Sequence, residues 1–244
     1  MKLNIQILNF NKDKIRYYDE SKEFDYITIG DFSCSKRNVL FLNKEFVEFI
    51  KTIKTKILIQ LPLVVKENEI DIVKKISKRI NPYIDGFITG DLGIIKYIQD
   101  FNKTIIYTSN TTNKDFSNIL KRDFKIDYVR PLMYKRTYIN EKIDFPKDIV
   151  IYGNMMINCA TFCYHSENDL VENCKFGCKK PRPLIMNNEK LYLIGRSLIT
   201  DNKFDIIQNI EKIEDIEMGT IFDYNLKNEE IKNLILKTKR KEIV

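Results

Sequence analysis

No tryptophan occurs among the 244 residues, histidine occurs once, at His165, and there are only eight glycines and six prolines. A single imidazole excludes a His-Glu-His zinc site and confines any Ser-His-Asp triad to one position, so protease chemistry is not expected. His165 is read as polar surface, with a contact behind a metal ligand as its functional alternative. Gly-x-Gly-x-x-Gly and Walker patterns are both absent, so nothing points to a nucleotide cofactor. The longest apolar run, Ile57 to Val65, is interrupted by Gln60 and Pro62 and is about half the length of a membrane-spanning helix. The start, Met1-Lys2-Leu3-Asn4-Ile5, has no signal-peptide core. A soluble, cytoplasmic protein is expected.

Charge of one sign does not dominate either. Lysine and arginine total 41 against 34 acids, a net charge of +7, but the basic residues are scattered through a chain equally heavy in Ile and Asn. That spread reads as solvated surface, and nucleic acid is not expected as a partner. The densest basic run, Lys237 to Lys241, ends an expected C-terminal helix, where cations suit the negative end of the helix dipole. Peripheral contact with an anionic membrane is the most that run implies.

What the chain has in quantity is short β-branched runs. Eight can be counted: Leu3 to Leu8, Tyr26 to Ile29, Ile57 to Leu61, Gly86 to Thr89, Thr104 to Thr108, Tyr128 to Leu132, Ile149 to Tyr152 and Met218 to Phe222. Amphipathic helical patterns lie between many of them. Phe46, Val47, Phe49, Ile50 and Ile53 follow an Asn43 cap, and Ile70, Val73, Ile76 and Ile80 share a face before Asn81-Pro82 stops the helix. Further patterns follow Asp91 and Thr112, and another runs through Ile206, Ile207, Ile210 and Ile213. Strands alternating with helices on short connections require parallel pairing and right-handed crossovers, so the expected fold is an irregular (β/α)8 TIM-like barrel over residues 1–244 as one domain. The segment between Tyr128 and Asp148 leaves room only for a short or distorted helix.

Five cysteines complete the inventory. Cys34 stands alone beyond the second strand, and Cys163, Cys174 and Cys178 fall in a long connection after the seventh, residues 153–190, which is read as a cysteine-rich loop insertion over the barrel mouth. In a parallel barrel the carboxyl ends of all strands open on one face, so the four thiols are expected at the same mouth. An odd cysteine count and a cytoplasmic location argue against structural disulfides. Spacings of C-x10-C and C-x3-C with one remote ligand suit a cubane iron-sulfur cluster better than paired zinc knuckles, although zinc stays open on spacing alone. Lys36, Arg37, Lys175, Lys179 and Lys180 would offset an anionic cluster. Cys159 reads as an ordinary cysteine, close enough to Cys163 to serve as an alternative ligand.

These residues carry a resemblance. The segment from Tyr26 through Gly30-Asp31-Phe32-Ser33-Cys34-Ser35-Lys36-Arg37, then Ile57 to Val64, Phe87-Ile88-Thr89-Gly90-Asp91, and Ile151-Tyr152-Gly153 leading to Cys163 and Cys174-x3-Cys178, are similar in order and spacing to the UbiV-type members of the collagenase-like peptidase family. The resemblance covers most of the chain and is thinnest from 110 to 147. It implies a 4Fe-4S cluster on Cys34, Cys163, Cys174 and Cys178. It also implies a subunit of an oxygen-independent ring hydroxylase of ubiquinone biosynthesis, paired with a UbiU-like protein. A prenylated quinone precursor is the implied substrate, prephenate the implied oxygen donor, and a lipid-carrier protein a further implied contact. Departures are Asn154 and Met156 where the family has a basic residue and a proline, and Phe162 where it commonly has an arginine. Two other readings stand beside this one: an iron-sulfur hydroxylation factor for transfer or ribosomal RNA from the same superfamily, and a non-catalytic scaffold stapled by zinc. Arg130, Asp31, Asp91 and Arg196 are candidates to line the mouth and meet a carboxylate or phenol, with structural roles the commoner outcome for such residues. Tyr107, Tyr128 and Tyr152 are expected to pack with their hydroxyls satisfied.

Overall fold

A computed structural model of the 244-residue chain describes residues 1–8, 10–30, 43–109, 114–131, 145–159, 182–186, 188–194, 197–207, 216–224 and 226–241. The strands are β1 (Lys2–Ile7), β2 (Tyr26–Ile29), β3 (Lys56–Gln60), β4 (Gly86–Thr89), β5 (Thr104–Ser109), β6 (Tyr128–Pro131), β7 (Lys147–Cys159), β8 (Arg182–Met186), β9 (Glu189–Ile194), β10 (Ser197–Asp205) and β11 (Ile216–Asp223). The helices are α1 (Lys12–Ser21), α2 (Lys44–Ile50), α3 (Ile70–Ile80), α4 (Leu92–Ile98), α5 (Lys114–Asp123) and α6 (Asn228–Lys241). Among the described residues no helix is long and apolar enough to cross a membrane.

Strands β1 to β7 pair in chain order and in parallel, and β11 closes the ring by pairing in parallel with both β1 and β7. The result is a closed eight-stranded parallel barrel surrounded by helices. Alternation along each strand builds it. Ile5 and Ile7, Ile27 and Ile29, Ile57 and Ile59, Phe87, Ile105, Val129, Ile149, Ile151 and Ile221 face the helices, where they meet Ile15, Phe46, Val47, Val73, Ile76, Ile94, Ile95, Ile98 and Leu120 in one buried cluster. The intervening residues point into the barrel. Tyr26, Leu58, Ile88, Ile106, Tyr128 and Met218 form a separate apolar cluster there; the other inward positions, on β1, β2, β3, β5, β6, β7 and β11, are largely polar.

Local chemistry sets the helix ends. Asn11 Oδ1 accepts from the backbone N–H groups of Asp13 and Lys14, Asn43 Oδ1 from that of Glu45, and Asp91 Oδ1 from that of Ile94. Asn81 to Tyr83, carrying Pro82, tightens into a 3-10 turn that ends α3. Each of the eight strand runs and the capped helices after Asn43 and Asp91 thus matches its sequence expectation. The structure adds α1 and three antiparallel strands. The expected helix through Ile206 to Ile213 and the short one before Asp148 fall mostly on residues 208–215 and 132–144, outside the described residues.

The added strands arise where β7 outgrows the barrel. At Tyr152 it is still in register with Ile221, and from there to Cys159 it pairs antiparallel with β10, which pairs with β9, which pairs with β8. Gly153 makes the transition possible. Its φ is +129°, and a Cβ there would sit 2.6 Å from both the Cβ and the backbone oxygen of Phe222, so only glycine fits. Part of the connection expected as a loop over 153–190 is therefore sheet, and residues 160–181 lie outside the described residues.

Candidate functional site

The polar half of the barrel interior is a single hydrogen-bonded network in which Asn4, Gln6, Thr28, Gln60, Arg130, Asp148 and Thr220 are all fully buried. Arg130 is its hub. Its Nε and Nη2 donate to Asp148 Oδ2 at 2.8 and 2.5 Å, Nη1 donates to Gln6 Oε1 at 2.6 Å, and Nη2 also donates to Thr220 Oγ1 at 3.1 Å. The Thr220 hydroxyl donates to Asp148 Oδ1 at 2.6 Å and accepts from Asn4 Nδ2 at 3.0 Å, which uses its one hydrogen and both lone pairs. Asn4 Oδ1 accepts from Thr28 Oγ1, and Gln6 Nε2 donates to the Gly30 backbone oxygen on the rim. A buried cation of this kind is tolerable only because its counter-ion and acceptors are fixed around it.

The ion pair also does mechanical work. Backbone pairing between β6 and β7 amounts to one register pair among the described residues, Val129 with Lys147. Arg130 on β6 and Asp148 on β7 clamp that seam from inside. Thr108 faces the interior beside Arg130 in register, and its buried hydroxyl oxygen has no hydrogen-bond partner.

Arg130 is thus a structural cation committed to Asp148 rather than a free receptor for a ligand carboxylate. Asp91 is committed too, accepting from the Ile94 N–H at 3.0 Å and the Val65 N–H at 2.9 Å. Tyr128 Oη accepts from Lys2 Nζ at 2.6 Å, and Tyr152 Oη donates to Glu230 Oε1 at 2.5 Å, so both hydroxyls are satisfied as expected. Burial and the adjacent Glu230 carboxylate raise the Tyr152 phenol above its usual range, which keeps it a donor. Tyr107 is buried against the Phe116 ring. Asp31, Arg196 and His165 lie outside the described residues, as do Cys34, Cys163, Cys174, Cys178 and the side chain of Cys159. No group of three or more metal-ligating side chains is found among the described residues.

Comparison of the chain with protein-family models, with curated proteins and with solved structures finds no match.

The chain routing is specific. Cys34 lies four positions beyond Gly30, which follows β2 at its carboxyl end, and four extended steps reach about 14 Å. The same separation holds between Cys159 and Cys163 and between Cys178 and Arg182. Asn158, Leu198, Leu193 and Arg182 form one row across the antiparallel sheet, so segment 160–181 leaves and rejoins it at the same end, across about 14 Å. That end lies on the carboxyl side of the barrel, because β7 continues in its own direction beyond Tyr152.

Sequence reasoning found Arg130 but missed the residues that hold it. Their signal is visible in retrospect: Asn4 and Gln6 in Leu3-Asn4-Ile5-Gln6-Ile7, Thr28 in Ile27-Thr28-Ile29 and Gln60 after Ile59 are polar residues at alternate positions of otherwise apolar strands. In a barrel, that alternation means a polar interior.

Proposed function

We propose that this chain is a 4Fe-4S protein of the UbiV type, the subunit of an oxygen-independent ring hydroxylase in ubiquinone biosynthesis that pairs with a UbiU-like protein. One observation carries the reading: the segments bearing Cys34 and the Cys163, Cys174 and Cys178 group are all tethered to elements on the carboxyl side of a closed parallel barrel, three of the four by only four residues. A remote thiol and a local trio can then share one centre. The donor set fits the group, since four thiolates are the usual complement of a cubane cluster.

When bound, such a cluster supplies one-electron chemistry. This chain's own contribution is support. Cys34, Cys163, Cys174 and Cys178 would hold the cluster, and Lys36, Arg37, Lys175, Lys179 and Lys180 would offset its negative charge. The Arg130 network is the rigid, neutralised floor beneath the mouth. Because Asp148 already answers Arg130, that floor favours a neutral phenol or quinone over a second carboxylate.

Anaerobic purification with iron and sulfide quantification tests the reading. About four irons and four sulfides per chain are expected, and Cys34→Ser should lose most of both and abolish quinone hydroxylation when co-expressed with a UbiU-like partner under anoxia. A colourless, zinc-loaded protein would overturn it.

A further inference from the structure

Because the barrel strands are parallel, the helices between them run back, and every connection from a helix into the next strand lies at the amino end, opposite the carboxyl face. Four consecutive ones are described throughout. They are residues 47–56, 77–86, 95–104 and 120–128, which comprise the last turns of α2 to α5 and the chain leading into β3 to β6. Together they carry ten lysines and arginines against five acids, a net +5 of the chain's +7. Cations scattered along the sequence are thus gathered by the fold into one arc. All of them are exposed except Lys103, which is half-buried. The adjoining connection, into β2, is acidic, with Glu20, Glu23 and Asp25 against Lys22, so the arc has an edge.

The helix carboxyl ends at this level account for only part of the charge. Their pull falls off within the last turn, and Lys54, Lys56, Lys103 and Lys125 lie beyond it. Asp85 and Asp127 are occupied with the N–H groups of Ile57 and Ile105. Glu48 and Asp123 pair with Lys51 and Arg122. Lys54, Lys78, Arg79 and Lys125 make no ion pair among the described residues.

We propose that this arc is a docking surface for an anionic lipid bilayer. One end of a barrel presents its connections at a single level, which matches a flat sheet of headgroups, whereas a single-stranded nucleic acid is held in a groove with free aromatic faces for stacking. Here the aromatic faces are taken. Lys51 sits over the Tyr83 ring at 5.1 Å, Lys96 over Phe124 at 6.0 Å and Lys121 over Phe145 at 5.6 Å. The composition agrees. Eight of the ten cations are lysine, a hydrated point charge suited to diffuse attraction. Arginine reads phosphate through a two-pronged fork, and one of the two arginines, Arg122, already spends Nε and Nη2 on Asp123. Clusters of about four to eight such cations bind anionic lipid, and the exposed Tyr83 supplies the amphipathic ring that suits the headgroup level. Docked in this way, the chain turns its carboxyl face away from the bilayer. None of the cysteines enters this proposal, so it stands apart from the cluster reading.

Co-sedimentation of the full chain with lipid vesicles tests it. Vesicles holding about 30% phosphatidylserine should bind the protein at about 0.1 M salt and release it at about 0.5 M, and pure phosphatidylcholine vesicles should not bind it. Each cation near an anionic surface is worth about fivefold in partitioning. Lys54→Gln, Lys78→Gln and Lys125→Gln together should therefore lower the partition coefficient at least about twentyfold, with unchanged circular dichroism. A triple of equal charge outside the arc, Lys44→Gln, Lys227→Gln and Lys232→Gln, should lower it less than about threefold. No binding to the anionic vesicles, or equal losses from the two triples, would overturn the proposal. So would tighter binding of a single-stranded oligonucleotide that the first triple abolishes, which would assign the arc to nucleic acid.

Discussion

Arg130 cannot be understood apart from Asp148. Both side chains are fully buried, and removing the carboxylate alone leaves a cation with no counter-charge in the barrel interior. Asp148→Ala is expected to destabilise the protein by about 3–5 kcal/mol in urea unfolding, whereas replacing both residues with apolar ones of similar volume should recover most of that loss. Thr108→Val is the opposite case. It removes a buried hydroxyl without a partner while keeping the shape, so stability should be unchanged or higher by up to about 1 kcal/mol. Arg130 stood out in the sequence because it lies near the carboxyl end of the sixth strand run. Asp148 did not, because the pairing exists only once β6 and β7 lie side by side, 18 residues apart in the chain.

Among the elements, the sequence was most legible where hydrophobic period and turn chemistry agreed. The eight barrel strands were visible as β-branched runs, and Asn43 and Asp91 announced the helices they cap. β8 to β10 were not visible, since Pro183 interrupts the first and Asp201-Asn202-Lys203 polarises the last. A repeated device at the amino ends of the strands also escaped notice. Asp25, Asp85 and Asp127 immediately precede β2, β4 and β6, and each accepts from the N–H of Leu3, Ile57 or Ile105 on the previous strand at 2.7 to 2.8 Å. Each returns its own N–H to the same residue's carbonyl. The reciprocal pair fixes register before the ladder begins. Asp85→Ala should therefore cost about 1–3 kcal/mol by stranding the Ile57 N–H, and Asp85→Asn, which retains an acceptor, distinctly less. Urea midpoints of the two variants, measured side by side, check this.

For the molecule as a whole, closure of the ring was inferable from eight alternating units. The ion pair that spans one of its seams was not. A single backbone pair joins β6 to β7 among the described residues, against six between β1 and β11. Native-state deuterium uptake should be faster at Val129 than at Ile5, and the difference should widen in Asp148→Ala; equal protection at the two amides would contradict this.

Seen from that joint, the ring carries a clasp of opposite charges on its inner wall. Parting those two strands would strand both charges at once, so the seam opens only at the cost of a buried ion pair.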